Sequence, residues 1–249
     1  LIAYIMAGFP NEKATLSTVR GLVKGGADII ELGFPFSDPL ADGPVIQNAS
    51  TISLNNGTTI SKFFSLVKKI RKETDIPLIL MTYTNILYHK GYSKFITDAK
   101  NAGIDGFILP DMSIEESKEY LKAAKNKSDT IFLISPNTSK TRIQKISKVS
   151  TGFLYLVAVY GTTGVKTGIK NYTLQAIKNV KKQTKGNIPI GVGFGVSTPD
   201  DVKKYIKVGA DAVIVGSAYL KLIEKTPQNK LELKIASFTR SLKKQTILK

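Results

Sequence analysis

Short apolar runs rich in β-branched residues alternate with amphipathic stretches eight times along the 249-residue chain. Runs of this length and composition predict buried strands, and the stretches between them have the period of helices. The predicted strands are Leu1–Met6, Asp28–Leu32, Pro77–Met81, Asp105–Leu109, Thr130–Ile134, Phe153–Val159, Ile188–Val192 and Ala212–Val215. The clearest predicted helices are Lys13–Lys24, Ile60–Lys72, Ile114–Ala124 and Leu174–Lys182.

Strands that recur after single helices predict a parallel α/β sheet, because each crossover is right-handed. Eight such units without a low-complexity linker predict one domain over residues 1–249, a (β/α)8 TIM barrel. The alternative is a doubly wound open sheet, which usually has a glycine-rich turn where this chain has Ala7–Pro10. The chain starts inside a strand-like run without Met, so we expect a leading segment to be missing.

The composition limits the kinds of site that the chain can contain. The net charge is +17, yet only four basic residues are Arg and the Lys are scattered over the helices. This distribution indicates solvated faces more than a nucleic-acid site, although the charge favours an anionic substrate. With no Cys and the single His89, expected at the surface, neither disulfides nor a His- or thiolate-bound metal is expected. No run of residues predicts a membrane span.

One predicted strand contains a carboxylate where the pattern requires an apolar residue. Glu31 follows Ile29-Ile30, and burying it unpaired would be costly. The next loop, Phe34–Pro44, contains Asp42 and is stiffened by three prolines. A rigid loop that holds one carboxylate near another favours an acid–base site. The alternative is a structural Glu satisfied by a cap or a neighbouring Lys.

Two glycine clusters follow the last two predicted strands. They are Gly191–Ser197, before a helix that Pro199 opens and Ser197 or Thr198 caps, and Gly216-Ser217 at the next helix start. In (β/α)8 barrels these loops commonly form a phosphate cradle, because glycine lets backbone N–H groups approach the oxygens. The alternative is that the glycines serve only as tight turns.

No predicted strand contains a Lys, although Lys is abundant elsewhere. A Schiff-base aldolase requires a desolvated Lys inside the barrel, and a metal-dependent aldolase requires ligands that this chain lacks. What remains is carboxylate acid–base chemistry on a phosphorylated substrate. In it Glu31 is the candidate proton shuttle, with a pKa raised by burial, and Asp42 stays ionised to stabilise positive charge.

The stretch Glu31–Pro44, followed by Gln47-Asn48, resembles the signature of the tryptophan synthase alpha subunit family. The resemblance continues at Leu109–Asp111, Pro136-Asn137, Tyr155, Gly161–Gly164, Gly193–Gly195 and Gly216-Ser217, and so covers nearly the whole chain. It implies a barrel lyase of tryptophan biosynthesis, grouped with carbon–oxygen lyases by the overall reaction of the synthase. The implied step is retro-aldol cleavage of indole-3-glycerol phosphate to indole and glyceraldehyde 3-phosphate.

The resemblance also implies roles for single residues. Glu31 would protonate indole C3 and help to remove the glycerol hydroxyl proton, while Asp42 would accept the indole N–H. Tyr155, with Tyr4 and Tyr83, would line the indole pocket. The implied phosphate contacts are Gly164, Phe194, Gly195, Gly216 and Ser217, and Gly193 is a further implied substrate contact. The implied lid is the loop Tyr160–Lys170 with Thr163 as its hydrogen-bonding member, and Val159 stands where some relatives have Arg. The resemblance also implies a helix before the first strand, which we expect to be missing from this chain.

A partner follows from the same resemblance. The family works with a beta subunit in a tetramer of two alpha and two beta chains, and the beta subunit binds pyridoxal phosphate. No cofactor is therefore expected in this chain. The residues implied to face the partner are Pro35, Phe36, Asp38, Pro39 and Asp111. For Asp111, at a predicted strand end, a helix-capping role is an equal alternative.

Two other functions stay open at this stage. One is a stand-alone indole-3-glycerol phosphate lyase of the same family, which releases free indole. The other is a basic, non-catalytic barrel that binds nucleic acid, which the net charge suggests and the scarcity of Arg opposes. The expected location is the cytoplasm, or the plastid stroma if an organelle genome encodes the chain.

Overall fold

Parallel strands form a barrel with helices around it, in the alternating order that the sequence predicts. The computed structural model describes residues 1–158 and 171–247. The strands are β1 (Ile2–Met6), β2 (Ile29–Gly33), β3 (Leu78–Met81), β4 (Gly106–Ile108), β5 (Asp129–Ile131), β6 (Leu133–Ile134), β7 (Leu154–Val157), β8 (Ile190–Gly193) and β9 (Ala212–Val215). The helices are α1 (Glu12–Gly25), α2 (Pro44–Asn55), α3 (Ile60–Arg71), α4 (Thr84–Lys90), α5 (Tyr92–Ala102), α6 (Lys118–Ala124), α7 (Lys140–Val149), α8 (Asn171–Thr184), α9 (Pro199–Val208), α10 (Ser217–Lys225) and α11 (Gln228–Lys243), followed by a 3₁₀-helix over Lys244–Thr246.

The sheet closes on itself, so the open-sheet alternative is wrong. Its parallel strands follow the order β5-β4-β3-β2-β1-β9-β8-β7-β6. The two ends of this order, β5 and β6, are consecutive parts of the strand predicted over Thr130–Ile134. Phe132 joins them, and its carbonyl accepts a hydrogen bond from the Tyr155 N–H of β7 at 3.0 Å. The predicted barrel is confirmed, with its fifth strand divided at Phe132.

The register of the first two strands places the key carboxylate at the centre of the barrel. All five residues of β1 are buried, and Tyr4 of β1 pairs with Glu31 of β2. Successive side chains of a strand point to opposite faces. Ile30 and Leu32 are completely buried on the face opposite Glu31, so the apolar residues of β2 pack outwards and its single carboxylate points into the barrel.

Side-chain caps fix where two of the helices begin. At the start of α1, Asn11 Oδ1 accepts a hydrogen bond from the Ala14 N–H at 2.9 Å. At the start of α9, Thr198 and Asp201 form a capping box on either side of Pro199. The predicted start of the latter helix is thus confirmed, and Thr198 is its cap.

The predicted start of α6 is wrong. The pattern predicts a helix over Ile114–Ala124, but α6 begins at Lys118. The Ser113 hydroxyl accepts a hydrogen bond from the Glu116 N–H at 3.3 Å. A local side-chain acceptor of this kind offers the backbone an alternative to helical pairing, so the chain forms turns before the helix starts.

Helices α1 and α11 pack closely because α1 presents two glycines to its neighbour. A Cβ on Gly21 would lie 2.8 Å from Ile235 Cβ. A Cβ on Gly25 would lie 2.8 Å from Thr239 Cγ2 and 2.9 Å from the Ala236 carbonyl oxygen. Since backbone and branched side chains form these contacts, neither position has room for a methyl group.

Gly25→Ala is therefore expected to lower the free energy of unfolding by about 2 kcal/mol, the usual cost of overpacking a close contact. Chemical denaturation measures the effect, and Lys13→Ala, on the exposed part of α1, is the control. A Gly25→Ala protein as stable as the control would show that the two helices separate without cost.

The outer helices present polar surfaces to solvent. His89 is exposed on α4, as predicted. In the two described ranges, no helix combines the length and apolar composition that a membrane crossing requires.

Candidate active site

Two buried carboxyl groups lie in one cavity at the carboxyl ends of the strands. Glu31 is 1% exposed on β2, and Asp42 is 4% exposed in the loop that leads to α2. The cavity that both groups line has a volume of about 680 Å³, which is within the range of small-molecule sites. The structure thus brings the two predicted catalytic residues together.

The surroundings of the two carboxyl groups give them different pKa values. Neither Glu31 oxygen has a hydrogen-bond partner in the described part of the protein, and the same is true of Asp42 Oδ1. Burial, followed by the charge of Asp42, raises the pKa of Glu31 to about 8. Burial also raises the pKa of Asp42, to about 6, against the opposing effect of a hydrogen bond from Tyr83. Near neutral pH, Glu31 is therefore the acid and Asp42 the carboxylate.

This pKa shift predicts a pH dependence of stability. Because the pKa of Glu31 is about 8 in the folded chain and ordinarily 4.5, the folded state holds an extra proton between these values. Stability then decreases as the pH rises through this window. Glu31→Gln removes this loss, so at pH 8 the variant is expected to be more stable than the parent by on the order of 3 kcal/mol. Denaturation curves at pH 5 and pH 8 measure it, and parallel pH trends in both proteins would contradict the burial of an ionisable Glu31.

Tyr4 and Tyr155 line the cavity as predicted, and glycines make room for their rings. A Cβ on Gly33 would lie 2.9 Å from Tyr4 Cζ, and a Cβ on Gly193 would lie 2.6 Å from Tyr155 Cζ. Gly193, predicted as a substrate contact, does not line the cavity; it accommodates the Tyr155 ring instead. Burial raises the pKa of both tyrosines well above the ordinary value, so their hydroxyls stay neutral.

The cavity also includes four of the residues that are predicted to surround a phosphate. Phe194, Gly195, Gly216 and Ser217 are among its lining residues. Phe194 and Gly195 both have positive φ, 71° and 77°, which turns the backbone sharply after β8. Ser217 is the first residue of α10, where backbone N–H groups have no intrahelical acceptor and attract anions. This part of the site suits a phosphate group.

Tyr83 is predicted to line the cavity, but it is not among the described residues that do so. It contacts Asp42 instead. Its hydroxyl donates a hydrogen bond to Asp42 Oδ2 at 3.0 Å and accepts one from the Ala41 N–H at 3.1 Å. Its ring stacks on Phe36 with the centroids 4.9 Å apart. Tyr83 thus fixes the loop that carries Asp42.

Tyr83→Phe is expected to remove a hydrogen bond that lowers the pKa of Asp42. If catalysis needs ionised Asp42, the acid limb of the pH–rate profile moves to higher pH by about one unit, and kcat decreases about tenfold. Tyr88→Phe, at a 69% exposed position of α4, is the control. An acid limb that stays in place would remove the assigned role of the Tyr83 hydroxyl.

The residues predicted to face a partner differ in exposure. Asp38 is exposed, Phe36 and Pro39 are half-buried, and Pro35 is buried in the chain, so Pro35 presents no surface. Next to them, Leu40 is 78% exposed. The tip of this loop is thus the part that is free to contact another molecule.

Asp111 caps a neighbouring helix. Its carboxylate accepts hydrogen bonds from the backbone N–H and the hydroxyl of Thr84, both at 2.9 Å, at the start of α4. The capping alternative is thus what the structure shows, and Asp111 is exposed as well.

Several lining residues were not predicted as site residues. Apolar walls come from Ile46, Met81 and Ile214, and two cations, Lys221 and Lys225, lie at the outer end. Met81 and Ile214 belong to predicted strands, but the pattern does not say which strand residues reach the cavity.

Several predicted site residues belong to a segment that the structure does not describe. Thr163, Gly164, Val159 and the predicted lid Tyr160–Lys170 lie outside the described residues. Within residues 1–158 and 171–247, no group of three or more His, Cys, Asp or Glu side chains is arranged to hold a metal ion.

Known proteins are similar to this chain in sequence and in fold. A family model described as "Tryptophan synthase alpha chain" matches residues 1–246. Tryptophan synthase alpha chains from Petrotoga mobilis and Solibacter usitatus are 44% and 43% identical over 246 residues. These matches cover 98% of this chain and 94% and 91% of the relatives. A tryptophan synthase complex from Pyrococcus furiosus contains a chain that superposes with a TM-score of 0.89 at 34% identity, covering 98% of this chain and 97% of that one.

Proposed function

The chain belongs to the tryptophan synthase alpha chain family, a family of lyases, and on that premise we propose that it cleaves indole-3-glycerol phosphate to indole and glyceraldehyde 3-phosphate. One observation supports this most strongly. Two buried carboxyl groups with pKa values of about 8 and about 6 share a cavity with Gly195, Gly216 and Ser217, the residues that we propose to hold the phosphate. An acid, a carboxylate and a phosphate site are what this cleavage requires.

In the proposed reaction Glu31 acts first as the acid. Its carboxyl proton is transferred to C3 of the indole ring, which converts the ring into a cationic indolenine. The carbon–carbon bond between C3 and the glycerol chain then breaks, and its electron pair returns to the ring. The hydroxyl on the departing carbon loses its proton as the aldehyde forms, and Glu31 takes that proton back, so one proton cycles through the residue.

Asp42 stabilises the charge that this protonation creates. As a carboxylate it accepts a hydrogen bond from the indole N–H, which becomes more acidic as the ring becomes cationic. The hydrogen bond from Tyr83 leaves Asp42 Oδ1 free for this contact, since the hydroxyl binds Oδ2. Tyr4 and Tyr155 provide flat apolar surfaces beside the ring.

We also propose that the chain works with a beta subunit, which would supply pyridoxal phosphate chemistry in its own site. An alpha2beta2 tryptophan synthase complex from Pyrococcus furiosus contains a chain that superposes with a TM-score of 0.90 at 36% identity. In this chain, exposed Asp38 and Leu40 occupy the same loop as buried Asp42. A partner that contacts the loop tip would thereby act directly on the position of a catalytic carboxylate.

Indole release from indole-3-glycerol phosphate, with and without a tryptophan synthase beta subunit, tests the proposal. Release that is slow alone and faster with the partner is the expected result. Fast release that the partner does not change would indicate a stand-alone lyase of the same family. No release under either condition would overturn the proposed reaction.

A further inference from the structure

The cavity continues past the phosphate cradle along one face of α10. Its lining there consists of Ser217, Ala218, Lys221, Leu222 and Lys225. Residues at this spacing share one face of a helix. The face from Ser217 to Lys225 extends about 12 Å at the rise of an α-helix. A groove therefore leads from the cradle to the outer surface of the barrel.

The floor of this groove is apolar and its edge is cationic. Ala218, Leu222 and, from α11, Phe238 are half-buried, whereas Lys221 and Lys225 are exposed. In the part of the chain that the structure describes, neither Lys forms an ion pair. Both ammonium groups are therefore available to an anion that approaches the cavity.

A carboxylate that lines the same cavity already accepts backbone hydrogen bonds. Asp201 of α9 also lines the cavity, and its Oδ2 accepts hydrogen bonds from the backbone N–H groups of Ser197 and Thr198 at 3.1 and 3.0 Å. Its charge is thus partly compensated by the N terminus of α9. Among the described residues, two cations without an ion pair and one capped carboxylate line this part of the cavity, so it has a net positive charge.

We propose that Lys221 and Lys225 form an outer anion site that captures the phosphate of the substrate and directs it into the cradle. The inference rests on the proposed function, because it takes the ligand to be a phosphate monoester. A cleft with charges of one sign raises the local concentration of an oppositely charged ligand. Exposed Lys–phosphate contacts are weak and screened by salt, so the site attracts the anion without trapping it outside the cradle.

The test compares Lys221→Gln/Lys225→Gln with Lys203→Gln/Lys207→Gln, which removes the same charge from exposed positions of α9 outside the cavity. At low ionic strength the first variant is expected to lower kcat/KM for indole-3-glycerol phosphate about tenfold through KM, with kcat unchanged. The difference is expected to vanish at about 0.5 M salt. The control is expected to stay within about twofold of the parent.

A neutral substrate separates capture from structural damage. For indole-3-glycerol, which lacks the phosphate, the groove variant is expected to match the parent. Equal losses with both substrates, or an equal loss in the α9 control, would overturn the proposed site.

Inorganic phosphate tests the site without catalysis. A ³¹P NMR titration at low ionic strength is expected to show weaker binding to the groove variant than to the parent and the control. An inactive parent that shows this difference would refute the proposed reaction and leave the anion site intact. An active parent whose phosphate binding and KM both survive the groove substitutions would refute the anion site alone.

Discussion

Replacing Glu31 by Gln is expected to slow indole release about 10³-fold, within the range usual for loss of a general acid–base group. The amide has nearly the same shape as the carboxyl group but cannot donate a proton to C3 and recover one from the hydroxyl. Because the pKa of Glu31 is about 8, the parent is expected to lose activity as the pH rises through that value, when its acid ionises.

Steady-state indole formation at pH 7 measures the loss, with the beta subunit present for all proteins. Asp98→Asn, which removes an exposed carboxylate of α5 paired with Lys94, is the matched control and is expected to match the parent. Since Glu31→Gln is also expected to be the more stable protein at pH 8, unfolding does not account for its inactivity. A rate of indole formation by Glu31→Gln within tenfold of the parent rate would show that Glu31 is not the proton shuttle.

Replacing Asp42 by Asn is expected to reduce kcat about 10²-fold, because the cationic indolenine loses its counter-charge. The Tyr83 hydroxyl can still donate to the amide oxygen, so the loop geometry is expected to persist. In the parent, activity is expected to fall below about pH 6, where Asp42 takes up a proton. Asp42→Asn is expected to lack this acid limb.

A pH–rate series from pH 5 to pH 9 on the parent and Asp42→Asn measures both effects. An acid limb that persists in Asp42→Asn would assign it to another group and contradict the role of the Asp42 carboxylate. A variant with full kcat would show that the indolenine forms without a counter-charge.

The barrel and the buried carboxylate pair are largely predictable from the sequence, for physical reasons. Apolar runs that alternate with helical periods specify the strands, and a closed sheet is the arrangement that eight such units favour. Glu31 stands out because it interrupts an apolar strand, and Asp42 because its loop is long and rich in proline. Both features lie within short segments of the chain, so they can be recognised without knowledge of the fold.

What the sequence did not reveal depends on contacts between distant segments. Tyr83 binds Asp42 because the loop after β2 folds across the end of β3, a contact between residues 41 positions apart. Gly193 makes room for Tyr155 of the neighbouring strand, which no pattern within β8 indicates. Lys221 and Lys225 are two of 36 basic residues, and only the path of the cavity distinguishes them from the rest.

Proton exchange at C3 of indole is the decisive test of the role of Glu31, since each condensation and cleavage replaces the proton that Glu31 is proposed to carry. The protein is incubated with indole and glyceraldehyde 3-phosphate in D₂O, and the C3 proton is followed by NMR against a sample without protein. Exchange above background is expected with the parent, and none is expected with Glu31→Gln. Equal exchange with both proteins would contradict the assignment of Glu31 as the group that carries the proton to and from the ring.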